Sequence, residues 1–82
     1  MAVDFEKLIK NMILPLVANP DDVMVKILSS EDNTITIQLL VNEADLGRVI
    51  GKGGKIANAM RTIVYAGASK EKKRVHIDID AF

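Results

Sequence analysis

The 82-residue chain contains no cysteine and no tryptophan, and its only aromatic side chains are Phe5, Tyr65 and Phe82. Without cysteine there is no disulfide, no thiolate metal site and no cysteine nucleophile. So few aromatics exclude the strand-borne stacking platform on which many single-strand binders hold bases. No apolar run approaches the roughly 20 residues that would span a bilayer. The N-terminal stretch MAVDFEKLIK is acidic and amphipathic, unlike a secretory signal. The sequence is therefore expected to be soluble and cytoplasmic, with no membrane contact, no cofactor and no metal. No nucleophile–base pair is legible either, since Ser29, Ser30 and Ser69 lack an identifiable partner, and no enzymatic activity is expected.

The net charge is zero, but it is unevenly placed. Between Arg48 and Arg74 lie eight basic side chains and a single acid, Glu71, a net +7, so the remainder carries −7 on a neutral chain. Such asymmetry builds one basic face on a neutral protein. The run Lys70 to Arg74, taken alone, reads as solvated surface charge. The chain is short enough to be one domain, residues 1–82, and apolar residues make up 49% of it, enough for one core. A domain of this size without a covalent staple gains from self-association.

The pattern of apolar residues orders the elements. Asp4 is a candidate N-cap for a helix over about 4–18 carrying Phe5, Leu8, Ile9, Met12, Leu16 and Val17 at helical spacing. Pro15 is expected to kink it or end its regular part early. Val23 to Leu28 and Thr34 to Val41 alternate with period two, and the polar stretch Ser29 to Asn33 between them predicts an antiparallel hairpin. Asn42 can cap a short helix with Asp45 in its first turn and Leu46, Val49 and Ile50 on its apolar face. A second helix is expected over about Gly54–Ala68, and a last strand over Arg74–Asp80, with Val75, Ile77 and Ile79 inward. The order is α-β-β-α-α-β, an α+β sandwich with helices on one face of a three-stranded sheet.

Three glycines in four residues, Gly51-Lys52-Gly53-Gly54, separate the last two helices. Glycine costs stability through its conformational freedom, so such density marks a special backbone geometry or a close approach. The loop feeds a helix N-terminus, where free N–H groups and the positive end of the dipole favour phosphate, and Lys52 and Lys55 flank it. The spacing is not that of a mononucleotide P-loop, and no βαβ unit surrounds it as a dinucleotide fingerprint requires. A helix–GxxG–helix frame is what KH modules use to clamp about four nucleotides of a single strand.

The wider string Gly47-Arg48-Val49-Ile50-Gly51-Lys52-Gly53-Gly54-Lys55-Ile56, inside β-α-α-β, resembles the KH signature. With an extra helix and strand in front, the topology is similar to a type II KH domain, its core over about 34–80. GRVIGKGGKI followed by RTIVYAG resembles the small bacterial single-KH proteins of the KhpA family. That resemblance implies a cytoplasmic RNA-binding protein, regarded as an RNA chaperone, while the scarcity of aromatics implies an aliphatic groove with weak base selectivity. The resemblance also implies self-association, and pairing with a larger multidomain KH protein (KhpB, also called Jag or EloR) tied to cell elongation and division, hence to cell shape and cell-wall biogenesis. Gly51, Lys52, Gly53 and Gly54 carry over as the clamp. Gly53 departs from the commoner pattern, in which both middle positions are polar or basic.

By the same resemblance, Val49, Ile50, Ile56 and strand residues near Ile37 line or support a groove for bases, although each also suits the core. Arg48 reads either as a phosphate or base-edge contact or as an exposed helix charge. The second helix is apolar over a wide arc. Ile56, Met60, Ile63, Val64 and Gly67 are expected to face the sheet, while Ala59, Ile63 and Ala66 are candidates for a homodimer or heterodimer interface. Alanine is also simply a good helix former, so both readings stand. His76 lies with Asp78 and Asp80 on the outward strand face and reads as solvated rather than as a metal ligand. A competing reading makes the domain a protein-interaction module that assembles a regulatory complex.

Overall fold

A computed structural model describes residues 3–82. The first helix, α1 (Phe5–Ile13), is capped by Asp4, whose carboxylate accepts from the Lys7 N–H at 3.1 Å. It places Phe5, Ile9 and Ile13 in the core. Its regular part ends early because Pro15 lies in the next turn: Leu14–Leu16 is a single 3₁₀ turn. A second 3₁₀ turn, Pro20–Asp22, leads into strand β1 (Met24–Glu31).

Strand β2 (Thr34–Val41) pairs antiparallel with β1. The connection is shorter than the polar composition of Ser29–Asn33 suggested. Only Asp32 and Asn33 turn, both at positive φ (49° and 66°), as a two-residue hairpin turn of this hand requires. Ser29, Ser30 and Glu31 continue the strand and are polar because β1 is a sheet edge open to solvent. Leu28 is an extra residue in the pairing, since Ile27 opposes Ile37 and Ser29 opposes Thr36. Such a bulge bends the edge. Along the alternation Val23, Val25, Ile27 burial fades toward the hairpin: Val23 is buried, Val25 partly so, and Ile27 is 45% exposed, while Leu28 at the bulge is 53% exposed.

After β2, Asn42 caps a 3₁₀ turn, Glu43–Asp45, by accepting from the Ala44 N–H at 2.9 Å. Helix α2 (Leu46–Ile50), the glycine loop and helix α3 (Lys55–Lys70) follow, and β3 (Arg74–Ala81) closes the sheet parallel to β2. The sheet order is β1-β2-β3. The central strand carries the core. In TITIQLLV every second residue, Ile35, Ile37, Leu39 and Val41, is buried, and Val49, Met60, Val64, Ala68, Val75 and Ile77 pack on them. Each such aliphatic side chain contributes about 1.5–3 kcal/mol by burial. The architecture is the expected two-layer α+β sandwich.

The face that α3 turns to the sheet differs from the expected one. Ala57, Met60, Val64 and Ala68 are buried there, whereas Ile63 is 53% exposed. The stripe is rotated because α3 has two neighbours. Ile56 and Gly67 face the α1 side: a Cβ at Gly67 would lie 3.8 Å from Phe5 and Val3. The wide apolar arc is thus partly satisfied within the chain.

Asp45 links the layers. It is 1% exposed, and its carboxylate accepts from the Ala18 and Asn19 N–H groups at 3.0 and 2.9 Å and from Asn19 Nδ2 at 3.1 Å. The Ala18 N–H holds its pKa below the ordinary 3.8. Burial opposes this, and the Asn19 donors and the Arg48 charge add to it. The link joining α1 to β1 is therefore pinned to the start of α2.

Candidate nucleic-acid interface

The site starts where α2 stops. Gly51 donates its N–H to the Gly47 carbonyl at 2.9 Å, closing the helix, and then leaves it at φ 76°, ψ 170°. Only glycine adopts that backbone readily. Space demands glycine there as well: a Cβ would lie 2.7 Å from Ile56 Cγ1 and 3.0 Å from the Ile56 backbone nitrogen. Gly51 is therefore how the loop folds back tightly on the first turn of α3. One 3₁₀ turn, Lys52–Gly54, follows, held by the Gly54 N–H to the Gly51 carbonyl at 3.1 Å.

Gly53 sits differently. Its φ is 66°, and a Cβ placed on it would meet nothing within 4 Å. Packing does not call for glycine at Gly53, and the open space above it is room for an approaching backbone. Lys52 and Lys55 are exposed on either side, and no carboxylate pairs with them among the described residues. Gly54, in the left-handed conformation, opens α3 without any side-chain cap. The loop thus offers an uncapped helix start, two unpaired ammonium groups and a bare stretch of peptide, which together suit an anion on a flexible backbone.

The other residues expected at this site divide. Arg48 is exposed on α2 and lies close enough to Asp45 to help hold its charge. Ile50 is partly exposed beside the loop, whereas Val49 has no accessible surface and belongs to the core, where it supports the site from below. Ile37 is buried in the same way. Ile56 supports Gly51 and also lines an apolar recess of about 150 Å³ with Met12, Leu16, Ala59 and Ile63, on the α1 side of α3. Ala59, Ile63 and Ala66 are exposed, on a flank of α3 away from the sheet. On the outer sheet face His76 Nε2 lies 3.3 Å from Asp78 Oδ1, both side chains mostly exposed. Among the described residues no cluster of three or more acidic or histidine side chains could hold a metal, and no helix is long and apolar enough to cross a membrane. Asp45 is the residue that sequence reasoning underrated. A lone carboxylate at the start of a short helix signals a favourable dipole contact, and nothing local announces the distant N–H groups it meets.

A glycine loop between two helices, set in β-α-α-β on a sheet whose last two strands are parallel, with a helix and strand in front, defines a type II KH domain. The sequence profile described as KhpA/KhpB, KH domain matches residues 6–79, and the chain belongs to that family, whose members are not enzymes. A protein of Listeria monocytogenes called RNA-binding protein KhpA is 45% identical over 74 residues, covering 90% of this chain and 96% of its own. Its namesakes in Bacillus subtilis and Caldanaerobacter subterraneus are 42% identical over 74 residues (90% of each chain) and 48% over 73 residues (89% and 96%). Among solved structures, Era in complex with MgGDPNP and nucleotides 1506–1542 of 16S ribosomal RNA superposes with a TM-score of 0.65 at 17% identity, over 94% of this chain and 29% of that one. Aquifex aeolicus Era gives 0.62 at 18%, over 95% and 30%. This chain thus spans under a third of the Era chains, and the likeness is one of fold.

Proposed function

We propose that the chain binds single-stranded RNA by its sugar–phosphate backbone at Gly51-Lys52-Gly53-Gly54, with little sequence selectivity, and acts in the cytoplasm as an RNA chaperone. The observation that carries this reading is Gly53: positive φ, open space, and unpaired Lys52 and Lys55 beside it. The relatives named RNA-binding proteins support the ligand class. Few groups near the loop can read base edges, so backbone contacts dominate both affinity and its salt dependence.

The test replaces Lys52 and Gly53 together by aspartate. The position of Gly53 is open and left-handed, a conformation aspartate tolerates, so the fold survives. RNA affinity is measured from low to high salt. Binding weakens, and the slope of log K against log salt flattens by about 0.7 for each lost phosphate contact. A folded variant with unchanged affinity and slope refutes the reading.

A second reading rests on Ile63. Half-exposed between Ala59 and Ala66 and next to the recess at Met12 and Leu16, it suits a second subunit. The partner is another copy or a larger multidomain KH protein of the KhpB type, in an assembly that affects cell elongation and division. The two readings are compatible, because a dimer would place two loops on one RNA and raise its avidity.

A further inference from the structure

A second basic cluster lies at the opposite end of α3 from the glycine loop. Lys73 and Arg74, where the chain enters β3, rim an open cleft of about 370 Å³ with Tyr65 and Ser69 of α3, and its floor is the buried Ala68 and Val75. Tyr65 is 42% exposed. It is the only tyrosine in the chain, and the sheet-facing stripe of α3 does not include it. No carboxylate pairs with Lys73 or Arg74 among the described residues. The nearby acid, Glu71, is engaged otherwise: its Oε1 accepts from the Val3 N–H at 2.9 Å.

A continuous path joins the cleft to the loop. Asn58, Arg61, Tyr65 and Ser69 follow one another at helical spacing along one flank of α3. At the loop end a Cβ on Gly54 would lie 3.6 Å from Asn58 Nδ2, and one turn on Arg61 Nη1 donates to Asn58 Oδ1 at 3.4 Å. Tyr65 stands roughly 16 Å beyond Gly54 at a rise of about 1.5 Å per residue. This flank thus offers positive charge at both ends, an arginine between them and an exposed aromatic ring at the far one. Charge of this sign with an apolar floor suits a nucleotide, whose base is flat and whose phosphate is anionic.

We propose that the Tyr65–Lys73–Arg74 cleft is a distal nucleotide subsite: a strand held at the glycine loop continues along α3, stacks one base on Tyr65 and sets a phosphate against Lys73 and Arg74. This rests on the loop reading and extends it beyond the four nucleotides that a KH clamp holds. The lysine–arginine turn, unremarkable surface charge in the sequence, acquires a partner once the fold brings Tyr65 beside it.

The test uses the full chain with tetraadenylate and octaadenylate RNA. Tyr65 is the sole tyrosine and there is no tryptophan, so tyrosine emission, corrected for RNA absorbance, reports on the cleft alone. The octamer quenches it and the tetramer does not. Tyr65→Ala weakens octamer binding roughly 5- to 150-fold, the fold-change for losing one stacked base, and leaves the tetramer unchanged. Tyr65→Phe retains most of the octamer affinity. Arg74→Ala lowers the octamer salt slope by about 0.7. If Tyr65→Ala binds the octamer as tightly as the wild type while the aspartate pair at Lys52 and Gly53 abolishes binding, the loop reading stands and the cleft serves something else, such as a protein. If the wild type binds neither oligonucleotide, or the aspartate pair binds both normally, the loop reading falls and this proposal with it.

Discussion

Gly51→Ala separates the structural from the binding role of the glycine loop. The substitution leaves a non-glycine residue at φ 76°, ψ 170°. That region is almost closed to side chains and costs about 1–3 kcal/mol. The new Cβ also falls 2.7 Å from Ile56 Cγ1 and 3.0 Å from the Ile56 nitrogen. The side chain can swing, but the backbone nitrogen begins α3 and cannot move alone. Overpacking of this kind costs about a further 1–3 kcal/mol. The sum, about 2–6 kcal/mol, compares with roughly 4–12 kcal/mol for the whole stability of a domain this size. Gly53→Ala is the control. It bears a left-handed penalty of about 1–2 kcal/mol with no clash, and Gly53→Asn bears less. Urea unfolding followed by circular dichroism should therefore rank the variants Gly51→Ala, Gly53→Ala, Gly53→Asn from least to most stable. Equal stability of Gly51→Ala and Gly53→Ala would refute the assignment of Gly51 to the packing of the fold. In RNA binding, Gly53→Asn restores the commoner polar residue at this loop position, meets no neighbour and changes no charge, so it should keep its affinity.

The core, the Asp45 link and the outer flank of α3 give further tests. Ile37→Ala removes a fully buried side chain from the centre of β2 and should cost about 2–5 kcal/mol, read as a lower urea midpoint at unchanged m. Asp45→Asn puts an amide N–H against a backbone N–H and should lower the melting temperature at pH 7. Because the folded pKa of Asp45 is depressed, its contribution is complete above about pH 4 and lost as pH falls through the lower folded value. The gap between wild type and Asp45→Asn should therefore narrow as pH falls below the ordinary carboxylate value of 3.8, and a gap independent of pH would show that the carboxylate charge is immaterial. Ile63→Asp should stay folded and shift the chain toward monomer in sedimentation, since Ile63 is half-exposed and outside the core. An unchanged oligomeric state would remove this surface from consideration.

Much of the domain is legible in local sequence. TITIQLLV announces a strand buried on one face, because a period of two has one geometric meaning, and the burial of Ile35, Ile37, Leu39 and Val41 follows it. GRVIGKGGKI announces a helix, a break and a helix, because three glycines so close cannot continue either, and the loop forms there. Pro15 ends the regular part of α1 for an equally local reason. These features depend on backbone sterics and side-chain period, which a residue and its near neighbours already set.

What only the tertiary structure decided depends on partners distant in sequence. Docking of α1 rotated α3, so Ala57 and Ala68 went inward and Ile63 outward, against a stripe drawn from hydrophobicity alone. Asp45 became a buried link because Ala18 and Asn19 arrive from the far side of the first hairpin. Ile27 remained 45% exposed on the edge strand although Val23, on the same alternation, is buried, a difference that the period of two cannot register. The glycines show both kinds of determination. Their spacing marks a loop in any sequence, but only the fold distinguishes Gly51, glycine for lack of room beside Ile56, from Gly53, which has open space above it. Chain order sets backbone options, and long-range packing decides which surfaces are left free to bind.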